Sequence, residues 1–249
     1  MSQDHVLRVW GNLACFTRPE LKVERFSYPV ITPSAARGIY DAIFCKPLEF
    51  HWQVTQVDVF EKPQYIALRR NEVKDKAPPA STIMKWIKGK DDPKPIIADG
   101  TTDLLGTDQK GRTQRQTMAL KNVCYQLHAQ IQPWDGFYNR LSALEAQFQR
   151  RASKGKCFYQ PYLGCREFPA YFELLDSPAK IKSPPSIEIN IGMMLYDVFD
   201  LSHPGKALDT ANAELPGISL FRAKVENGIL VIPPYASDKV LKGRRPIDA

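Results

Sequence analysis

From Asn122 to Gln132 the chain alternates: Val123, Tyr125, Leu127, Ala129 and Ile131 are apolar, and Asn122, Cys124, Gln126, His128 and Gln130 stand between them. Successive side chains of a strand point to opposite faces, so this spacing predicts a strand with one face in the core and the other polar. A shorter alternation predicts an opening strand over Val6 to Trp10, with Leu7 and Val9 on one face and Val6 and Trp10 flanking Arg8 on the other, buried on both sides. Phe50 to Phe60 also reads as a strand. Its apolar set changes phase from Trp52 and Val54 to Val57 and Val59, which predicts a bulge near Thr55.

Helical spacing takes over at Ala35, Ala36, Ile39, Ala42 and Ile43, with Ser34 in the N-cap position and Lys46-Pro47 closing the helix. Arg37, Tyr40 and Phe44 are three and four residues apart and form one stripe beside that apolar face. Gly38 costs up to about 1 kcal/mol relative to alanine in a helix, which points to a neighbour packed closely against it. A second helix is predicted over Asn139 to Ala152, with Leu141, Leu144 and Phe148 inward, Arg140, Gln147, Arg150 and Arg151 outward, and Gly155 as the stop. Between the two halves, Glu61 to Arg115 is rich in proline, Lys-Asp mixtures and Gly-Thr-Asp tracts, with only Ser81 to Lys88 helical in character.

Further strands are predicted over Cys165 to Leu175, Ile187 to Ile191, Met193 to Phe199, Ser219 to Val225 and Ile229 to Ile232, with Asn227-Gly228 as a hairpin turn. The fold class expected is α+β. The order strand-helix-strand, twice, matches the split βαβ pattern of a ferredoxin-like (RRM-like) domain over 1–178, with an irregular insertion at about 61–115. A small antiparallel β C-terminal domain is expected over 179–249.

Composition narrows the function. The 249 residues are 43% hydrophobic, enough to build a core. No apolar run approaches the roughly 20 residues that cross a bilayer, and the start MSQDHVLRVW has no secretory pattern, so a cytoplasmic location without a membrane partner is expected. The five cysteines show no CxxC and the four histidines no HExxH, so no metal site is expected. GxSxG, P-loop and GxGxxG motifs are absent, which removes serine hydrolases and nucleotide cofactors; no cofactor is expected. A net charge of +7 favours an anionic partner. Aromatics interleave with cations at Phe16-Thr17-Arg18, across Lys22 to Tyr28 and at Lys156-Cys157-Phe158-Tyr159, which suits RNA: rings stack on bases while cations reach phosphates.

Four blocks then carry a resemblance: WGNLACFTRPELKVERFSYPVITPSAARGIYDAIFCKP, RRNEV at Arg69 to Val73, QRQTMALKNVCY, and FQRRASKGKCFYQPYLGCREFPAYF. In that order they resemble the CRISPR-associated Cas-five family, subtype d, over Trp10 to Phe172. The resemblance implies a subunit of a type I-C interference complex that cuts precursor CRISPR RNA beside its repeat hairpin, without metal, and keeps the mature CRISPR RNA. It also implies a tyrosine at the position of Phe44 and a Lys-His pair near Ser142 to Leu144; this chain has neither.

Three readings follow. The first is a ribonuclease in which Tyr40, His128 and Lys154 replace the missing groups. The second is a non-catalytic subunit holding the 5′ handle, with Arg18, Lys22, Arg25, Arg37, Lys46, Arg115, Arg150, Arg151, Lys156 and Arg166 on phosphates. The third is a duplex-DNA binder.

Overall fold

The alternating segment lies within β5 (Arg112–Pro133), and its five apolar residues are buried as their spacing predicts. The computed structural model describes residues 2–21, 23–73, 76–94, 112–177, 180–204 and 218–242. The chain divides into one unit of Met1–Ile66 with Met118–Ala249, and a second of Ala67–Thr117.

In the first unit, β1 (His5–Ala14) and β3 (Phe50–Val59) pair antiparallel with β5 on its two sides; Leu7 and Val57 both stand opposite Leu127. The β3 register shifts between Val54 and Gln56, so the bulge falls at Thr55, where the phase change predicts it. β6 (Tyr171–Leu174) pairs with the outer side of β1, and the two-residue β2 (Arg25–Phe26) pairs with β5. The strand expected from Cys165 shortens to β6 because a turn ties Leu163 to Phe168 and Pro169 follows it.

α1 (Pro33–Ile43) begins at Thr32, whose hydroxyl accepts from the Ala35 amide at 3.2 Å, with Pro33 at the first helical position. Thr32 rather than Ser34 is therefore the cap. A Cβ added at Gly38 would meet nothing within 4 Å, so the close neighbour expected there does not exist. α3 (Leu141–Ala152) buries Leu144, Phe148 and Ala152. α1, α3 and the sheet meet in an aromatic cluster in which Trp52 touches His5, Tyr40, Phe50 and Phe148 at centroid distances of 4.7 to 5.7 Å.

The C-terminal residues add β7 (Ile189–Asp197), β8 (Ser219–Glu226), β9 (Ile229–Val231) and β10 (Val240–Lys242). β7 is one strand whose register against β8 shifts twice, between Asn190 and Gly192 and between Leu195 and Asp197. Asn227 and Gly228, at φ 51° and 79°, make the tight turn between β8 and β9 that their sequence predicts. β9 pairs with β3, Val57 opposite Leu230, so these strands continue the sheet of the first half in the order β10-β8-β9-β3-β5-β1-β6.

β1 departs from its expected double burial. Leu7 and Val9 are buried, but Arg8, Trp10 and Asn12 on the opposite face are exposed. Over β5 that face is covered: the Gln126 amide exchanges hydrogen bonds with the Lys182 backbone at 2.8 and 3.0 Å. In the second unit, β4 (Tyr65–Val73) pairs with β5, and α2 (Ala80–Ile87) buries none of its residues. Among the described residues no helix is long and apolar enough to cross a membrane.

Candidate nucleic-acid interface

The segment from Ser153 to Ala170 leaves α3 and travels along one side of the first unit, fastened by backbone bonds. The Phe158 amide donates to the Ala42 carbonyl at 2.7 Å, at the end of α1. The Cys15 amide donates to the Leu163 carbonyl at 3.0 Å, which pins the segment to the loop after β1. Gly164, at φ 83°, lies against that loop so closely that a Cβ would run into the Cys15 carbonyl. These fastenings join two sets of cations that are far apart in sequence.

At the α1 and α3 ends stand Lys46, Arg150, Arg151, Lys154 and Lys156. Arg150, Lys154 and Lys156 are exposed. Lys46 pairs with Glu49 at 3.1 Å and keeps about a third of its side chain exposed (32%). Arg151 is half-buried: its Nε donates to the Ile43 carbonyl at 2.7 Å and its guanidinium stacks 4.1 Å over the Phe158 ring. It closes the C-terminal end of α1, where carbonyls lack partners, and orients an exposed aromatic.

At the other end stand Arg18, Arg25 and Arg166. Arg18 lies 4.6 Å over the Tyr28 ring and 3.7 Å from Glu20; Arg25 reaches Glu167 at 3.4 Å and the Cys165 sulfur at 3.5 Å; Arg166 is exposed. Phe158 and Tyr159, both exposed, lie between Lys156 and Arg166 along the chain. Partial burial and the charge of Asp41 raise the Tyr159 pKa, so its phenol holds its proton more tightly than a free one. Arg115 belongs to the second unit, where it is part of β5, and Lys22 lies outside the described residues.

The Arg37, Tyr40 and Phe44 stripe faces inward. Arg37 donates to Asp197 at 2.7 and 3.1 Å and to Asp41 at 2.6 Å, which fills its guanidinium with intramolecular partners and removes it from the phosphate contacts. Tyr40 is fully buried, its hydroxyl shared between the His5 and Leu127 carbonyls at 2.8 and 2.6 Å. Burial holds its pKa well above the ordinary phenol value. A phenol sealed between α1 and two strands has no path to a phosphate, so Tyr40 is a core residue and not the replacement for the tyrosine missing at Phe44. Phe44 itself is buried against Phe50, with ring centroids 5.4 Å apart. Tyr40→Phe is expected to lower stability by roughly 1–2 kcal/mol through the missing hydrogen bond, which denaturant titration checks.

His128 is also committed elsewhere. Its Nδ1 lies 2.9 Å from Asp4 and its Nε2 3.1 Å from Asp58. Burial lowers its pKa, but hydrogen bonds and charge from the two carboxylates override this and raise it to about 9. An imidazolium with both nitrogens donating cannot accept a proton near neutrality, which removes His128 as a general base. Of the three substitutes, Lys154 alone is exposed.

The family model for the CRISPR-associated protein Cas5, of the Cas5d type, matches residues 6–232. The chain belongs to the Cas5d family. A Cas5d relative named as a CRISPR pre-crRNA endoribonuclease, from Mannheimia succiniciproducens, is 37% identical over 240 residues, covering 94% of this chain and 96% of its own. Another of the same name, from Thermus thermophilus, is 36% identical over 235 residues, covering 91% and 90%. A crystal structure of a CRISPR-associated protein shares the fold at a TM-score of 0.60, with 20% identity, over 96% of this chain and 97% of that one.

Within the Cas5d family this chain carries aromatic features that periodicity alone hides. Trp10 and Tyr171, on adjacent strands, stack at 6.1 Å with 27° between their rings, and Arg8 lies 5.5 Å over Trp10. Both rings are legible in the sequence only as strand residues, because the pairing of β1 with β6 joins segments about 160 positions apart. Tyr159 is visible there as one aromatic in a basic run; its place beside the end of α1 follows from the Phe158 to Ala42 bond.

Proposed function

We propose that this chain binds the repeat hairpin of precursor CRISPR RNA, cuts it beside the hairpin, and keeps the product within a type I-C interference complex. Near-full-length identity of 37% to a named pre-crRNA endoribonuclease carries the reading. The fastened basic and aromatic segment from Ser153 to Ala170 supports it. The order β1-α1-β3-β5-α3-β6, with sheet order β3-β5-β1-β6, favours a ferredoxin-like core as the platform.

The reaction is a transesterification. The ribose 2′-OH gives its proton to a base and its oxygen attacks the adjacent phosphorus; the bond to the 5′-oxygen breaks, and an acid protonates that leaving oxygen. The products are a 2′,3′-cyclic phosphate and a 5′-hydroxyl. In this proposal Lys154 and Lys156 neutralise the charge that builds on the phosphoryl oxygens, and the Tyr159 phenol supplies the leaving-group proton. Neither Tyr40 nor His128 takes part.

The test incubates the protein with its own repeat RNA in EDTA. One cut at the hairpin base is the expected result. Bound but intact RNA would favour the 5′-handle-binding subunit instead, a reading supported by Phe44 in the tyrosine position and by the missing Lys-His pair. Duplex DNA that competes with hairpin RNA at matched ionic strength would favour the DNA binder.

Binding should also depend on salt. Replacing Arg150, Lys156 or Arg166 with alanine is expected to weaken binding to all repeat RNAs alike and to reduce the slope of log K against log salt by about 1 for each phosphate partner removed. Filter binding across a salt series measures both, and a slope unchanged in all three variants would remove these residues from the phosphate path.

A further inference from the structure

The uncovered corner of the sheet, at β1 and β6, has an unusual composition for a solvent face. Trp10 and Tyr171 stand directly opposite each other in register, as do Arg8 and Glu173. Trp10 remains 37% and Tyr171 53% exposed although each touches the other, and Asn12 continues the exposed row along β1. A strand pair in an ordinary protein hides such rings or replaces them with charged and small residues.

Three observations say what covers it. The two rings stack on each other at 27° and still leave Trp10 37% and Tyr171 53% exposed, so aromatic surface remains open to a base. Arg8 lies within cation–π range of Trp10 and carries a charge suited to phosphate. The basic segment passes beneath the corner, its Leu163 and Pro169 packed against Gly11 on the buried face of β1. Tyr171 itself follows that segment directly, one residue beyond Ala170.

We propose that Trp10 and Tyr171 form a stacking platform for an unpaired nucleotide of the bound RNA, with Arg8 on the neighbouring phosphate. The site deepens the reading above and rests on it for the identity of the RNA; a base stacked on such rings needs no particular sequence. Glu173, two residues along the same face, adds a carboxylate that accepts from base amino groups and disfavours a phosphate directly above it, so the backbone runs on the Arg8 and Asn12 side.

The test measures affinity of the full chain for two RNAs: the repeat hairpin trimmed of single-stranded flanks, and a single-stranded oligoadenylate of about twelve nucleotides, within the usual range for one binding site. Trp10→Ala and Tyr171→Ala are each expected to weaken oligoadenylate binding by about 5- to 150-fold, the loss of one stacked base, and to change hairpin binding less than about threefold. Trp10→Phe should restore most of the oligoadenylate affinity, which a merely structural role for the indole would not produce. Both alanine variants remove exposed rings and should melt with the parent protein.

Equal losses on both RNAs, or no loss on the oligoadenylate, overturn the platform. So does unchanged RNA affinity with loss of co-assembly in the complex, which gives the face to a protein partner. Failure of the parent protein to bind or cut the hairpin, with oligoadenylate binding still sensitive to Trp10, would sink the precursor-RNA reading and leave the platform standing.

Discussion

Arg37→Ala should destabilise the protein by about 3–5 kcal/mol, the cost of leaving buried charge without its partner. Asp197 is 1% exposed and Arg37 14%, so alanine would strand the Asp197 carboxylate, and the less buried Asp41, in an interior that water scarcely reaches. The site is built to hold the charged pair. Burial raises the Asp41 pKa while Arg37 draws it back, and the two carboxylates hold the guanidinium in its charged form against the cost of its own burial. Asp197 also accepts from the Val198 and Phe199 amides at 2.8 and 3.0 Å, and its own amide and carbonyl bond the Ser219 hydroxyl. One side chain of α1 thus anchors the end of β7 and, through Ser219, the start of β8. Denaturant unfolding measures the loss. RNA affinity per folded molecule should be unchanged; a variant of near-parental stability whose affinity collapses would return Arg37 to the residues that touch phosphate.

That ion pair marks the boundary of what the sequence makes legible. Signals carried by neighbours in the chain are readable: the two-residue alternation in β5, the phase change at Thr55, the Asn227-Gly228 turn and the helical spacing of α1 each predict the local geometry that forms. The partner of Arg37 lies 160 residues away. An arginine flanked by Tyr40 and Phe44 reads equally as a phosphate ligand and as half of a buried pair until β7 is placed, because helical spacing gives the stripe but not what faces it. Trp10 shows the same limit in reverse. Its alternation predicts a strand correctly, yet exposure depends on whether a segment crosses above, and the segment at Lys182 bonds Gln126 on β5 while Trp10 stays 37% exposed. Basic runs transfer better. Arg150, Lys154, Lys156 and Arg166 are exposed, because several like charges close together in sequence cannot all be buried with partners.

The second large effect is linked to pH, through His128. Its pKa is raised to about 9 in the folded chain against about 6.5 for an unperturbed histidine. A raised value means the folded state binds the proton more tightly, so the stabilisation is fully present below pH 6.5 and is lost as pH climbs through 9. At about 1.4 kcal/mol per pH unit the gap amounts to about 3 kcal/mol, for a side chain only 12% exposed. Asp58 shows the complementary shift: burial raises its pKa, but bonds from His128, Gln56 and Gln126 outweigh this and lower it. Its contribution is present above the ordinary carboxylate range and fades as pH falls through the lowered value. The Asp4, His128 and Asp58 row joins the N-terminal residues, β5 and β3, and it holds only while the ring is charged. Parent protein and His128→Gln should therefore converge in stability between pH 6 and pH 9, the parent losing about 3 kcal/mol more than the variant over that interval. Urea titrations at several pH values read this directly. Parallel stability profiles would mean that the imidazole is neutral in the folded chain, and would restore His128 to the candidates for the base that RNA cleavage requires.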